Sequence, residues 1–445
     1  MKKEPGASPG SGSLIRFFVP LAIQAMSQAL CYPLVAMVVS RGPGGPLNLA
    51  GLAQSNTVMF FLGVIGMSLV TTGMVHAKSR EGYQKFQAVT LSIGLVVSSV
   101  QALLSIPALS HMLFGQIIGL PPSIENPAKI TLLACIPLQF LFFSRIPYFV
   151  AMYNGKATGK ASLATIGRII LTALLSPLFC NIGLVGPIWA VVCLTLPVAL
   201  EVIVSRILVA PFLRDLKPSA DRPPSAKEIF LFTLPLSVGG YFLSTSAVIL
   251  GAFIARSPDP ERILPAYYLA LGLANPVAYA ATRIQTIVLA FPPKSSQDRL
   301  TLRFSIFAGA VLGLLPLVFT LPGLNEFYFV KLQNLIPDDL PLVRMTSLSL
   351  IFFPLSVALR AQSEGLSAWF KKPMTVLAGH AIFMAIIITS GFTLYFLGTP
   401  GYLIGAVGLT LGSLASSATM RISLGWAKEK PIPVGQTTTS VGQIR

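Results

Sequence analysis

The chain has 445 residues, of which 53% are hydrophobic and only 11% charged, with a mean hydropathy of +0.75. A soluble globular domain carries about a quarter charged residues, so this composition excludes one and calls for lipid around much of the surface. The net charge of +17 suits a nucleic-acid partner only if the basic residues gather on one soluble face; here they are scattered through the breaks between apolar runs, and no nucleic acid is expected.

Residues 1–13 are polar and rich in Gly, Ser and Pro and read as a tail. The apolar run that follows is too long for a cleaved leader and lacks a small-residue cleavage site, so it is expected to be the first anchor. Apolar runs of roughly 20 residues, long enough to cross about 30 Å of hydrocarbon, then recur along the chain. Twelve are predicted: 14–40, 47–75, 86–110, 129–152, 161–180, 183–211, 227–255, 264–291, 301–321, 341–367, 374–397 and 402–426. The expected fold class is therefore all-α integral membrane. The lobe 14–211 holds six spans, the charged, proline-rich stretch 212–226 is a linker, the lobe 227–426 holds six more, and 427–445 is a second tail.

The basic residues follow membrane side. With both termini in the cytoplasm, that side holds twenty-two Lys and Arg, among them Lys78, Lys156, Arg206, Lys371 and Arg421. The other side holds six: Arg41, Lys129, Arg256, Arg262, Lys331 and Arg344. This positive-inside bias predicts an N-in, C-in chain. Cys31, Cys135, Cys180 and Cys193 fall within apolar spans or at their ends, in no pattern that implies disulfides or a metal site.

Sliding the chain on itself by 215 positions brings its punctuation into register. Pro20 falls on Pro235, Arg41 on Arg256, Gly94 on Gly309, Arg145 on Arg360, Lys156 on Lys371, Gly183 on Gly398 and Arg206 on Arg421. Apolar composition alone would match Leu with Leu, not Arg with Arg. Six spans is an even number, so both halves enter the bilayer from the same side, as parallel repeats enclosing a cavity between two lobes. Pro20 and Pro235 are hinge candidates, since each removes a backbone hydrogen bond early in its helix.

Several segments resemble a known family. LeuIleArgPhePheValProLeu at 14–21, AsnProVal at 275–277 leading to ProPro at 292–293, and PhePheProLeuSerValAlaLeuArgAla at 352–361 followed by LysLysPro at 371–373 are similar to the progressive ankylosis protein family. The resemblance runs over nearly the whole chain in order and spacing. It implies membership of the multidrug, oligosaccharidyl-lipid and polysaccharide (MOP) exporter superfamily. With that come the twelve-helix, two-lobed fold of the multidrug and toxic compound extrusion (MATE) transporters and export of anions such as citrate, ATP or pyrophosphate-related species.

An ionisable group inside a span costs about 2.5–3.5 kcal/mol on insertion scales, so each is a candidate for function. Arg145, Arg168, Arg283 and Arg360 are each placed one to two turns in from the cytoplasmic end of their span, where they can form a basic ring. Guanidinium forks bind carboxylates and phosphates bidentately, and Arg145 and Arg360 are expected to face each other across the pseudo-twofold axis. Snorkelling to the interface is the alternative. Glu201 and Glu364 are the carboxylates well inside spans; Glu364, four residues after Arg360, is expected to pair with it, and either acid is a candidate coupling-proton site. His380 reads as a satisfied packing histidine, with a proton relay as the alternative. Gln24 and Gln28, on one face of the first helix, and Tyr241, Ser244 and Thr245 on its counterpart are candidates to line a polar cavity or to hold helices together. Asn275-Pro276 marks an expected helix break whose freed carbonyl can meet substrate or ion.

No Walker loop, zincin motif or nucleophile elbow occurs, so neither an enzyme nor an ATP-driven pump is expected, and no cofactor. The leading expectation is a monomeric secondary transporter exporting a small anionic solute, with H+ or Na+ as coupling ion, in a bacterial inner membrane. The alternatives are a cation/proton or cation/sodium drug antiporter of the same fold, disfavoured by a first span without Asp or Glu, a lipid-linked precursor flippase, and a non-transporting scaffold. The orientation is checked by single cysteines in a cysteine-free background. At Ser219, in the linker, a membrane-impermeant maleimide should label only from the cytoplasmic side; at Asp259, between the seventh and eighth spans, only from the other.

Overall fold

The computed structural model describes residues 11–28, 31–44, 46–118, 120, 122–219, 222–293, 299–332, 335 and 337–425. The described chain is helical and contains no strand. Its α-helices are α1 (Ser11–Gln28), α2 (Cys31–Ser40), α3 (Pro46–His76), α4 (Arg80–Leu104), α5 (Pro107–His111), α6 (Pro122–Ala134), α7 (Ile136–Ser144), α8 (Ile146–Asn154), α9 (Thr158–Asn181) and α10 (Pro187–Arg214). They continue as α11 (Ala226–Ala255), α12 (Pro260–Thr282), α13 (Ile284–Ala290), α14 (Leu300–Leu314), α15 (Leu340–Ser349), α16 (Phe353–Trp369), α17 (Pro373–Phe396) and α18 (Gly401–Gly425).

Nine described helical segments are long and apolar enough to cross a membrane, and Pro122–Asn154, bent by 42° at its break, makes a tenth. The chain is a multi-pass membrane protein. The eighth expected span, 264–291, is also helical, in two pieces, α12 and α13, and the described residues of the first, 14–40, lie in α1 and α2.

Proline sets several of the breaks. Pro137 and Pro147 have no N–H to give to the preceding turn, and the helix is interrupted just before each, at Cys135 and Arg145. The expected break at Asn275-Pro276 is not there: α12 runs through both residues and stops instead at Arg283. A proline is tolerated within a membrane helix where neighbouring groups re-satisfy the freed backbone carbonyl.

The backbone repeats at the spacing of 215. Left-handed conformations occur at Gly44 and Asp259, Lys156 and Lys371, and Gly183 and Gly398. Helices α8 and α16 end in the same pair of bonds, from Ala157 N to Met152 O and Lys156 N to Tyr153 O, and from Lys372 N to Ser367 O and Lys371 N to Ala368 O. This is a Schellman end, in which lysine takes the left-handed position that glycine usually fills. The π-helical turns Met112–Ile117 and Glu326–Leu332 recur at that interval too.

Helices up to α10 pack mainly on one another, as do those from α11 onward, and the two groups meet chiefly through α3 on α11 and α1 on α12. The contacts across this seam cluster at one end. The Thr72 and Thr233 hydroxyls bond at 3.0 Å, the His76 ring stands edge-on to Phe232, and Phe17 and Phe18 stand edge-on to Phe291 and Phe304. Lys78 lies over Trp369 and Lys156 over Phe291, each at 4.5 Å. The largest buried core spans both groups there, whereas the cores around Val38 and Cys193 and around Leu250 and Phe383 each belong to one group. The seam is thus closed at the end carrying Leu14, His76, Ile229 and Leu289, and the described contacts farther along it include Tyr241 with Phe61 and with the Leu62 carbonyl. A Thr72→Cys/Thr233→Cys pair should crosslink within one chain under mild oxidant and run faster on a non-reducing gel; failure to crosslink would place the closed seam elsewhere.

Candidate functional site

The first polar cluster is built around Glu201, whose side chain on α10 is fully enclosed. Arg145 Nη1 donates to its Oε2 at 2.7 Å and Arg168 Nη1 at 3.1 Å, while Thr165 Oγ1 donates to its Oε1 at 2.6 Å. Behind Thr165, Gln24 Nε2 donates to the threonine oxygen at 2.9 Å and the Tyr153 hydroxyl donates to Gln24 Oε1 at 3.0 Å. Arg145 owes its place to the α7–α8 break, where it bridges two helix pieces. Its guanidinium lies 4.8 Å from the Phe142 ring centre and 5.6 Å from Phe149, an arrangement that shields the charge. The cluster holds two guanidinium groups and one carboxylate.

A third guanidinium reaches this region from across the seam. Arg283, half-buried at the α12–α13 break, lies within electrostatic range of the Tyr153 hydroxyl, as does Arg145. Its Nε is buried without a hydrogen-bond partner, and among the described residues no carboxylate pairs with it.

The second cluster lies in the other group of helices. Arg360 Nε is 3.2 Å from Glu364 Oε1, and His380 Nε2 is 2.8 Å from the same oxygen. The Arg360 guanidinium lies 5.2 Å from the Phe383 ring centre. The spacing that matches Arg145 to Arg360 also matches Phe149 to Glu364, Thr165 to His380, Arg168 to Phe383 and Gln24 to Gly239. The substitutions compensate: a Cβ at Gly239 would lie 2.3 Å from His380 Nδ1, so the imidazole fills the room that Gln24 takes in the first cluster. Arg145 and Arg360 each have a carboxylate and a ring, supplied from different positions.

The expected ring of four arginines is therefore not formed. Arg145 and Arg168 share Glu201, Arg283 approaches them from the seam, and Arg360 is committed to Glu364. Arg421, placed with the loop cations by the sequence, folds onto α16 and donates to Gln362 Oε1 at 2.8 Å and Ser363 Oγ at 3.0 Å. The partner that satisfies His380 is the Glu364 carboxylate. Tyr241 is at the seam, Ser244 and Thr245 are exposed, and Asn275 is half-buried in unbroken helix. Pro20 and Pro235 lie inside α1 and α11, and the Pro20 carbonyl accepts from Ser162 Oγ at 2.7 Å. The side chains of Gln28 and Cys31 lie outside the described residues, and Cys135, Cys180 and Cys193 are free thiols. A cavity of about 540 Å³ lies at the closed end of the seam, bordered by Lys78, Asn154, Asp215 and Trp369, away from both clusters.

The architecture has known counterparts. A eukaryotic MATE transporter superposes with a TM-score of 0.72 over 93% of this chain and 95% of its own, at 14% identity. A mutant of the Vibrio cholerae MATE transporter VcmN gives 0.74 over 93% and 97%, at 13% identity. A MOP superfamily transporter from Pyrococcus furiosus gives 0.70 over 94% and 96%, at 14% identity. The fold is that of the MATE transporters. No family model and no curated protein matches the sequence, so the likeness lies in the path of the chain. On the MATE fold the two clusters fall one to each group of helices, and Arg283 stands between the groups.

Breaking one side of a buried ion pair leaves an uncompensated charge and costs about 3–5 kcal/mol, while removing both partners costs far less. Glu201→Gln should therefore lower the melting temperature in detergent more than Glu201→Gln with Arg145→Gln and Arg168→Gln together. Equal or larger loss in the triple variant would mean the three side chains are not coupled.

Proposed function

We propose that the protein is a secondary transporter that moves a small organic or phosphorylated anion, of the citrate, ATP or pyrophosphate class, across its membrane by alternating access. The observation that carries this is the charge around the seam: Arg145 and Arg168 share one carboxylate, Glu201, and Arg283, which has no described carboxylate, lies within electrostatic range of Tyr153 in the same region. An excess of guanidinium charge held in low dielectric is unfavourable unless an anion joins it. Arg283 brings an unneutralised fork from the opposite lobe, so an anion between it and Arg145 touches both lobes at once.

On this reading, residues 14–211 and 227–426 are the lobes, 212–226 joins them, and the repeated left-handed turns support descent from one duplicated unit. With the termini cytoplasmic, the closed seam faces the cytoplasm and the described state opens outward. Export then runs by parting the contacts around Thr72 and Thr233, with Pro20 and Pro235 as hinges. The transporter works as a monomer in a bacterial inner membrane. Two buried carboxylates, Glu201 and Glu364, favour a second reading, a cation antiporter of the MATE type, in which they bind the drug or its counter-ion.

The readings part on binding. Citrate or ATP titrated into purified protein should bind, and Arg283→Gln should weaken that binding tenfold or more, the order of one charge-assisted contact (about 1.5–3 kcal/mol), with Arg283→Lys intermediate. Binding of a cationic dye alone, lost in Glu201→Gln and untouched in Arg283→Gln, would establish the antiporter instead.

A further inference from the structure

Glu201 occupies the donors that an anion would use. Its two oxygens take Nη1 of Arg145, Nη1 of Arg168 and the Thr165 hydroxyl, the set of partners a bound carboxylate or phosphate needs. We infer that Glu201 is a built-in stand-in for the transported anion, that the anion displaces it from the guanidinium groups, and that Glu201 then binds a proton, so one proton travels with each anion. This rests on the anion reading above and adds the coupling ion to it.

The surroundings of Glu201 require the proton. The charged groups acting on it are Arg145, from the α7–α8 break, and Arg168, on α9; Tyr153 on α8 stands behind Gln24, with Arg283 beyond. Of the other helices on α10, α7 has no ionisable side chain, α6 has Glu125 and Lys129 paired with each other, and α3 has His76 at the closed end of the seam. The ionisable side chains of α2 lie outside the described residues. When an anion turns the two guanidinium groups toward itself, with Arg283 engaged by the same anion, Glu201 loses the charged groups that act on it, and a carboxylate enclosed in the membrane without counter-charge binds a proton. The step is a proton transfer alone: water on the side from which the anion enters supplies H+, an O–H bond forms at Glu201, and the ion pairs with Arg145 and Arg168 become ion pairs with the substrate. Return of Glu201 to the arginines releases the proton and expels the anion. Arg145, 14% exposed where its two companions are 5% and 0%, is the member the anion meets first.

The same arrangement does not occur in the second cluster. Glu364 also has a histidine on the oxygen that Arg360 approaches, so loss of Arg360 leaves it a hydrogen-bond partner. Glu201 has only arginines and neutral donors.

The test uses proteoliposomes of the full-length protein with a trapped pH dye and citrate as substrate. In the wild-type protein citrate uptake should acidify the lumen with one proton per turnover. An inward proton gradient should drive accumulation, an inward sodium gradient should not, and apparent citrate affinity should change by up to about tenfold per pH unit, the slope of one linked proton. Glu201→Gln should still bind citrate, more tightly at pH 7.5, with proton movement below a tenth of wild type and a flat pH profile. Glu364→Gln should keep the proton-to-citrate ratio. If Glu201→Gln does not fold, the wild-type proton count and Thr165→Val, which should shift the pH profile toward higher pH, carry the test. Citrate moving without protons, citrate moving on a sodium gradient, or protons still moving in Glu201→Gln would each overturn the inference while leaving anion transport standing. No anion flux at all in the wild-type protein would overturn the anion reading itself.

Discussion

A charge inside a bilayer must be neutralised, and the interior of this protein is arranged around that constraint. Arg145, Arg168, Arg283 and Arg360 sit well inside apolar spans, and the carboxylates described beside them are Glu201 and Glu364. Arg360 shares Glu364 with His380, whereas Arg145 and Arg168 divide Glu201 and Arg283 has no described carboxylate at all. The imbalance falls at one place, where the two groups of helices approach. Aromatic rings of Phe142, Phe149 and Phe383 against the guanidinium planes ease the cost without removing the charge.

The seam gives the imbalance its setting. Its closed end is held by apolar rings, one threonine pair and two lysines over aromatic rings, interactions of modest individual strength. None is a buried ion pair. Such a surface can part and reform without stranding a charge, while the ion pairs stay within their own halves. A structure that had to alternate between two arrangements would be poorly served by the reverse layout.

Much of the architecture was legible in the sequence because apolar length and helix punctuation are local signals. The recurring Gly, Pro and Arg positions anticipated backbone turns that recur at the same interval, down to Lys156 and Lys371, although lysine alone gives no hint of a left-handed residue. The Arg360–Glu364 pair was legible because four residues make one helical turn. The Arg145–Glu201 pair was not, since 56 residues and two helices separate its members and the duplicate of Glu201 is Ser416. Likewise Thr165, Tyr153 and His380 carry no marker of their own; only packing brings them to the carboxylates. The break expected at Pro276 occurs instead at Arg283, where the following residues contain no proline to announce it. The local rule was sound, but tertiary contacts decided which turn gave way.

What separates this interior from one designed for cations is the sign of its unpaired charge, and that sign is the centre of the account. The most direct measurement is counterflow in proteoliposomes of the purified protein, comparing citrate and ATP with a cationic dye. The account expects a preloaded anion to draw labelled anion inward and the dye to stay out. Dye counterflow without anion counterflow would contradict it and make the arginines structural.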